Sequence, residues 1–377
     1  MIALNLIGTN KNSGTKTFNT NLLKKLSYIS QKENLVIYTS KNYLNDIKVK
    51  FGKNINFVSK SNIYENFIIR FLWMQLFLPI SLKKKNIKIL FSSTNYSPIL
   101  SKILGIKSIL FVHTVMPWEY LHLLPGSFLK NYFIKKLMEL SIIASDIILV
   151  PSKYAKKIIL KNFNLKKEKI KVVYLGADHI YELKNSNLKL RKFNYNDDYI
   201  LSVLSCVKYH NIINLLKAYK LFLIESKSNV KLVLVMTILD FEYFNILKKF
   251  IKNNFEKNQI IILPDVKNIY LANLYKNSSI YLYTSYSETF GFTTLEAKYF
   301  NVPLVISRTS ALREINGTMP MYFYPNNIKQ TKQKISYAYK NKIKIYKNLK
   351  NKKKQLYKFM WNKTLNQILK ILKSSAI

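Results

Sequence analysis

The feature that most constrains this chain is an alternation between short apolar runs and longer stretches with apolar residues at helical spacing. Runs at 2–7, 34–39, 87–92, 108–113, 146–151 and 169–174 have the length and apolar content of buried strands. Between them, 17–28, 65–82, 127–144 and 153–163 repeat apolar residues every three to four positions, which predicts helices packed by one face. Strands that are apolar on both faces, separated by helices, build parallel sheets covered by those helices. The rhythm pauses in a polar, charged stretch at 181–198 and then restarts. Further strands are expected at 199–204, 231–236, 259–264, 279–284 and 302–307, with helices at 211–224, 241–253, 268–275 and 293–300. At 377 residues the chain exceeds what one core usually organises. Two doubly wound α/β domains are therefore expected, at 1–180 and 199–356, joined by a linker at 181–198 and followed by a closing segment at 357–377.

Composition narrows the function. The chain is 49% hydrophobic, which excludes the disorder that a net charge of +42 would otherwise suggest. That charge suits nucleic acid or an anionic membrane. It also suits a codon bias that fills the surface with Lys, Asn, Ile and Tyr at the expense of Ala and Gly. No zinc-finger spacing, RNP-type aromatic motif or helix-turn-helix signature accompanies it, so nucleic acid is not an expected partner. Cys206 is the single cysteine, which excludes an internal disulfide and a cysteine-based metal site and fits a reducing compartment. The N-terminus reads as a first strand rather than a signal peptide. The longest apolar stretch, 67–82, is broken by Arg70, Gln75 and Pro79 and is too short to span a bilayer. A cytoplasmic location is expected.

The strongest motif runs from Ser285 to Ser307: a strand end, a glycine-containing loop, a helix and a second strand. Glu288 and Glu296 stand eight positions apart across loop and helix, so they are not a helical i, i+4 pair but two ends of one ligand site. Gly291 allows close approach of a ligand to the backbone, and the helix start beyond it presents N–H groups to an anion or a sugar hydroxyl.

This string resembles the E-x7-E element of glycosyltransferase family 4, the retaining enzymes of the GT-B fold. The resemblance includes Phe290-Gly291, Leu295-Glu296-Ala297 and the turn into Val302-Pro303. It extends in order along the chain. Ser13-Gly14-Thr15 is similar to the N-terminal glycine loop, Phe111-Val112-His113 to a strand ending in histidine, and Val172 to Asp178 to the end of the first domain. Trp361 resembles the start of the family's closing helix, which often packs back on the first domain. The resemblance implies two Rossmann-like, doubly wound domains with parallel sheets facing a central cleft. It also implies a nucleotide-sugar donor and a glycan or lipid-linked acceptor, in cell-surface polysaccharide or lipopolysaccharide synthesis.

Residue by residue, it implies that Glu288 contacts the sugar as a catalytic group and that His113 touches the sugar near the reacting centre. Glu296 would hold the ribose, with Phe290, Gly291, Phe292 and Leu295 around the donor. Departures are clear: the usual Gly-Arg pair and Lys are replaced by the run Ser205 to Asn211, with Thr114 where Asp is common. Lys208 is left as a candidate for the diphosphate, with His210 open as the alternative, Gly14 for the donor side of the first loop and Val266 for the neighbourhood of the base. Neither cofactor nor metal is expected, since Asp-x-Asp is absent and Asp197-Asp198 reads as solvated surface. The basic-apolar helix at 127–144, with Lys130, Lys135 and Lys136 beside Phe128 and Phe133, is expected to rest on an anionic membrane surface, peripherally and on the inner face. Two alternatives remain open: a basic binding protein that kept the fold without activity, and a nucleotide-sugar epimerase of similar architecture.

Overall fold

The computed structural model describes residues 1–9, 14–29, 35–47, 55–185, 188–190, 193–350 and 353–375. The chain divides into two compact units, one formed by 1–118, 129–176 and 359–377 and the other by 119–128 and 177–358. Each is a parallel sheet between helices.

The first sheet contains β1 (Ile2–Asn5), β2 (Leu35–Ser40), β3 (Ile55–Lys60), β4 (Ile89–Ser92), β5 (Lys107–Phe111), β6 (Ile147–Val150) and β7 (Ile170–Val172), in the order 3-2-1-4-5-6-7. The second contains β8 (Tyr199–Cys206), β9 (Lys231–Ile238), β10 (Ile260–Pro264), β11 (Ile280–Tyr283), β12 (Leu304–Ser307) and β13 (Met321–Phe323), in the order 10-9-8-11-12-13. Both orders reverse direction once, between β1 and β4 and between β8 and β11. Such a switch point opens a crevice beyond the carboxyl ends of the strands, where ligands of doubly wound sheets bind.

Several elements were not expected from the sequence, among them two strands and a long helix of the described residues. The edge strand β3 is half exposed, so its apolar content is diluted by solvent-facing residues. β13 has only three residues. The lysine-rich helix Ile328–Lys340 still buries Thr331, Ile335 and Ala338 on one stripe. At the motif, the helix begins one residue earlier than expected, at Phe292.

The stretch 181–198, expected to be a linker, belongs to the second unit, whose longer segment begins at Ala177. Its polar composition hides an anchor: Phe193 is buried in that unit's core, as is Ile180 just before the stretch, and Phe193 meets Tyr199 edge-on at 5.2 Å. Asp198, read as solvated surface, instead accepts from Ser279, from Tyr339 at 2.6 Å and from Lys342 at 2.5 Å. Partial burial opposes ionisation of Asp198, but these bonds outweigh it and hold the carboxyl below the usual range.

The helix Trp361–Ser374 packs within the first unit. Thr364 and Gln367 donate to the carbonyls of Tyr174 and Val172, each at 2.8 Å, and buried Trp361 lies 6.1 Å from Phe18. Gly176 makes this closure possible, because a Cβ there would sit 2.6 Å from Trp361 Cα and Cγ and closer still to its backbone nitrogen. Gly176→Ala is therefore expected to destabilise the first unit by about 1–3 kcal/mol through overpacking against backbone that cannot yield. Urea unfolding of the full chain followed by tryptophan fluorescence measures this. An unchanged transition would show that the closing helix shifts freely.

Candidate active site

The site is built where β8 and β11 part. After β8 the chain makes a 3-10 turn, Lys208–His210, ended by Asn211 in the left-handed region at φ 57°. After β11 it runs through Thr284, Ser285 and Tyr286 to Glu288. The two segments are tied together. Thr284 Oγ1 donates to the His210 carbonyl at 2.9 Å, and the Tyr286 N–H donates to the Tyr209 carbonyl at 2.9 Å. A third segment locks Glu288 itself: its N–H donates to Ser310 Oγ at 2.6 Å, while its carbonyl accepts from the Ala311 N–H at 3.1 Å.

The Glu288 side chain is held on one oxygen. Tyr283 donates to Oε1 at 2.6 Å, and His210 Nε2 lies 3.3 Å from the same atom and 3.2 Å from the Tyr283 hydroxyl. The ring is oriented by its other nitrogen. Nδ1 is 2.6 Å from the Ser205 carbonyl, which can only accept, so Nδ1 carries a proton; the Ser205 N–H, 3.1 Å from that nitrogen, is the weaker contact. Oε2 has no partner among the described residues. The side chain is 17% exposed.

Glu296 is held on both oxygens. Tyr275 donates to Oε2 at 2.9 Å, and His179 Nε2 lies 3.2 Å from Oε1, off line for a straight hydrogen bond. The carboxylate is 8% exposed. It projects from the helix Phe292–Tyr299, whose N-cap is Gly291 at φ 87°. A side chain on Gly291 would be strained by that φ, and its Cβ would lie 2.6 Å from Leu312 Cδ2.

Tyrosines supply the donors. Tyr275, Tyr281 and Tyr283 stack in sequence at 5.8 and 6.1 Å. Burial pushes all three phenols well above their ordinary value, with the neighbouring carboxylates adding to the effect, so they remain neutral hydroxyls.

Comparison with known proteins decides the family. Residues 184–356 match the family Glycosyl transferases group 1, and residues 33–180 match Glycosyltransferase Family 4. The chain belongs to the group 1 glycosyltransferases of family 4. The O-antigen chain mannosyltransferase RfbU of Salmonella typhimurium is 23% identical over 225 residues, covering 58% of this chain and 57% of that protein. This chain thus aligns with little more than half the length of that relative. Among solved structures, a glycosyltransferase from Rickettsia africae matches with a TM-score of 0.73 at 19% identity, covering 100% of this chain and 98% of that one. Anabaena Alr3699/HepE in complex with UDP and glucose matches with a TM-score of 0.75 at 14% identity, covering 99% and 100%. These likenesses speak for the fold, which is GT-B.

For this glycosyltransferase chain, the structure gathers Glu288, Phe290, Gly291, Phe292, Leu295 and Glu296 on one loop and helix. Phe290 and Phe292 meet at 5.1 Å, and Leu295 is fully buried, which makes it a packing residue. Lys208 is exposed in the same turn as His210. Of the two residues left open for the phosphates, His210 turns instead to Glu288. Val266 packs against the second unit's core beside Asp265, which has φ 47° and accepts from Thr237 at 2.8 Å. Gly14 is the exposed first residue of the helix Gly14–Ile29 rather than part of a loop, and Ser13 lies outside the described residues. Sequence reasoning missed His179, Tyr275, Tyr283 and Ser310. The scarcity of histidine, four in the chain, was the available signal.

His113 follows β5 in the first unit, with its N–H donating to Asn95 Oδ1 at 2.6 Å. Its ring stacks on Phe111 at 4.4 Å, and Nε2 donates to the Ser93 carbonyl at 2.8 Å. Burial lowers its pKa from 6.5 to about 4, against the partial support of that carbonyl. The ring is therefore neutral at pH 7, with a lone pair on Nδ1. The unfolded chain takes up a proton below 6.5 that the native ring refuses, so this group's contribution to stability is lost as pH falls from 6.5 towards 4. Melting temperatures measured between pH 7 and 5 should fall more steeply for the native chain than for His113→Gln. Parallel slopes would contradict a neutral, buried ring.

Proposed function

We propose that this chain is a retaining, hexosyl-transferring enzyme that moves a sugar from a nucleotide-sugar to a glycan or lipid-linked acceptor in the synthesis of a cell-surface polysaccharide. The O-antigen mannosyltransferase relative supports the substrate class. The observation that carries the reading is Glu288: one oxygen contacted by Tyr283 and His210, the other without a partner among the described residues, at the switch point of the second sheet. Breaking a glycosyl–phosphate bond leaves positive charge on the sugar and negative charge on the diphosphate. A fixed carboxylate oxygen stabilises the first, and the start of the helix Phe292–Tyr299, with Lys208 from the turn that carries His210, serves the second. In this reading Glu296 holds the ribose, and the departing phosphate oxygen takes the acceptor's proton on the same face. The diphosphate's charge is met by these groups without a metal ion.

Transfer measured with a panel of UDP-, GDP- and ADP-sugars, with and without EDTA, tests the whole reading. Persistence in EDTA is expected, and turnover of no donor would leave only a binding protein. Within the same assay, Glu296→Gln should raise the donor KM about tenfold for a loss of ~1.5 kcal/mol of charge-assisted hydrogen bonding, with kcat retained. Glu288→Gln should lower kcat by roughly 100-fold or more, because its carboxylate contributes most when the sugar is positively charged. Native kinetics in a folded Glu288→Gln protein would sink that assignment.

We place the acceptor at an anionic membrane surface. No helix among the described residues is long and apolar enough to cross a membrane. In the first unit, however, the helix Phe67–Lys84 exposes Ile68, Leu72, Leu76, Phe77 and Ile80 and ends in Lys83 and Lys84. The helix Phe128–Ala144 exposes Phe128, Leu129, Phe133 and Ile143. Its Lys135 and Lys136 both reach Glu139, at 3.8 and 2.8 Å, so the attraction rests more on the overall charge of +42 than on that helix alone. Binding to phosphatidylglycerol vesicles should exceed binding to phosphatidylcholine vesicles and weaken with salt, since screening acts over about 10 Å at 0.1 M. Equal binding to both would remove the electrostatic argument.

A further inference from the structure

The two glutamates of the site share an arrangement. Each carboxylate sits between one tyrosine hydroxyl and one histidine nitrogen. For Glu288 these are Tyr283 on β11 and His210 after β8, both on Oε1. For Glu296 they are Tyr275, from the helix Asn268–Asn277, on Oε2, and His179, three residues after the second unit's junction at Gly176, on Oε1. All four partners are buried. Among the described residues, no lysine or arginine pairs with either glutamate.

A buried carboxylate needs its lone pairs met, and the groups that meet them fix which oxygen, and which direction, remains for a ligand. Glu288 keeps one oxygen clear of the described residues. Glu296 accepts one hydrogen bond on Oε2 and has a histidine nitrogen beside Oε1, which leaves lone pairs on both oxygens, a spacing suited to two adjacent hydroxyls. Lysines would satisfy the charge but not the direction, being flexible point charges on long stems. A histidine whose second nitrogen is tied to backbone, as His210 is to Ser205, has a fixed ring plane.

We infer that His210 and His179 are positioning residues of the donor site, His210 aiming the Glu288 carboxylate at the sugar and His179 aiming the Glu296 carboxylate at the ribose. This rests on the reading of the two glutamates given above. It also accounts for the altered run Ser205 to Asn211: the side chain standing where the family often has a phosphate-binding lysine is turned to the carboxylate instead.

The test uses the full chain and two readouts. Calorimetric titration with UDP, GDP and ADP first identifies the nucleotide, and steady-state kinetics with its sugars follow. His179→Gln should weaken nucleotide binding and raise donor KM about tenfold with kcat within twofold of native. His210→Gln should lower kcat by at least tenfold with nucleotide affinity within twofold of native. Tyr275→Phe and Tyr283→Phe, the milder variants on the same two carboxylates, should reproduce the respective patterns, so a histidine variant that fails to fold does not end the test. Native values in both readouts, or the same loss of both quantities at both positions, would overturn the positioning roles. A native chain that binds no nucleotide would instead overturn the donor-site reading itself, and this inference with it.

Discussion

The site depends on how β8 and β11 stop pairing. Their ladder includes only Ile280 with Ile200 and Tyr281 with Leu201, although β8 continues beside β9 as far as Cys206. Beyond Leu201 the two strands diverge at the switch point, and backbone groups that a full ladder would have paired need other partners. Side chains supply them. Tyr281 donates to the Val203 carbonyl at 3.1 Å, Thr284 to the His210 carbonyl and Ser285 to the Tyr209 carbonyl. The crevice is therefore walled by hydroxyl groups held in place by backbone, and Glu288 enters a wall that is already fixed. A longer β11–β8 ladder would close the space.

That wall sets the electrostatics. Two carboxylates lie on one loop and helix, and burying them costs free energy unless each is hydrogen-bonded. Neutral phenols meet this need without bringing positive charge that would compete with the developing charge on a sugar. Preorganisation follows from the same feature, because a buried tyrosine has few rotamers and its hydroxyl cannot drift. The loop that carries Glu288 is pinned at both its N–H and its carbonyl by Ser310 and Ala311, and Ser310 adopts φ 47° to do so. A left-handed serine costs backbone strain, which the fit of this loop offsets.

Much of the fold was legible because buried parallel strands are written as apolar runs, and those runs do not depend on distant partners. The alternation located eleven of the thirteen strands among the described residues, and it failed at β3 and β13 for opposite reasons, dilution at an exposed edge and shortness. The motif from Ser285 to Ser307 was legible because its residues are contiguous. His179, Tyr275 and Ser310 were not, since each reaches its glutamate from a different part of the second unit, and nothing local distinguishes a tyrosine that donates to a carboxylate from one that fills a core. His210 stood in plain view but pointed to the wrong partner: its position suggested phosphate, whereas ring orientation by Ser205 turns it to Glu288. The stretch 181–198 misled because polarity averaged over many residues concealed one anchor, Phe193.

The basic composition and the site obey different constraints. With 61 lysines and arginines against 19 acids, a lysine at any surface position costs little, since its ammonium group stays in water. Inside, the cost of desolvation decides. Lys298, on the same helix as Glu296, is buried, with its ammonium donating to the Asn316 carbonyl at 3.1 Å. Burial, and secondarily the charge of Lys358, lowers its pKa to about 8. That one case shows how strongly this interior resists an unpaired cation. Tyrosine, whose hydroxyl carries no charge, can be placed there without the penalty, and one buried tyrosine donates to each carboxylate. The excess charge remains on the outer surface, free to act at long range on an anionic partner while leaving the geometry of the site unaltered.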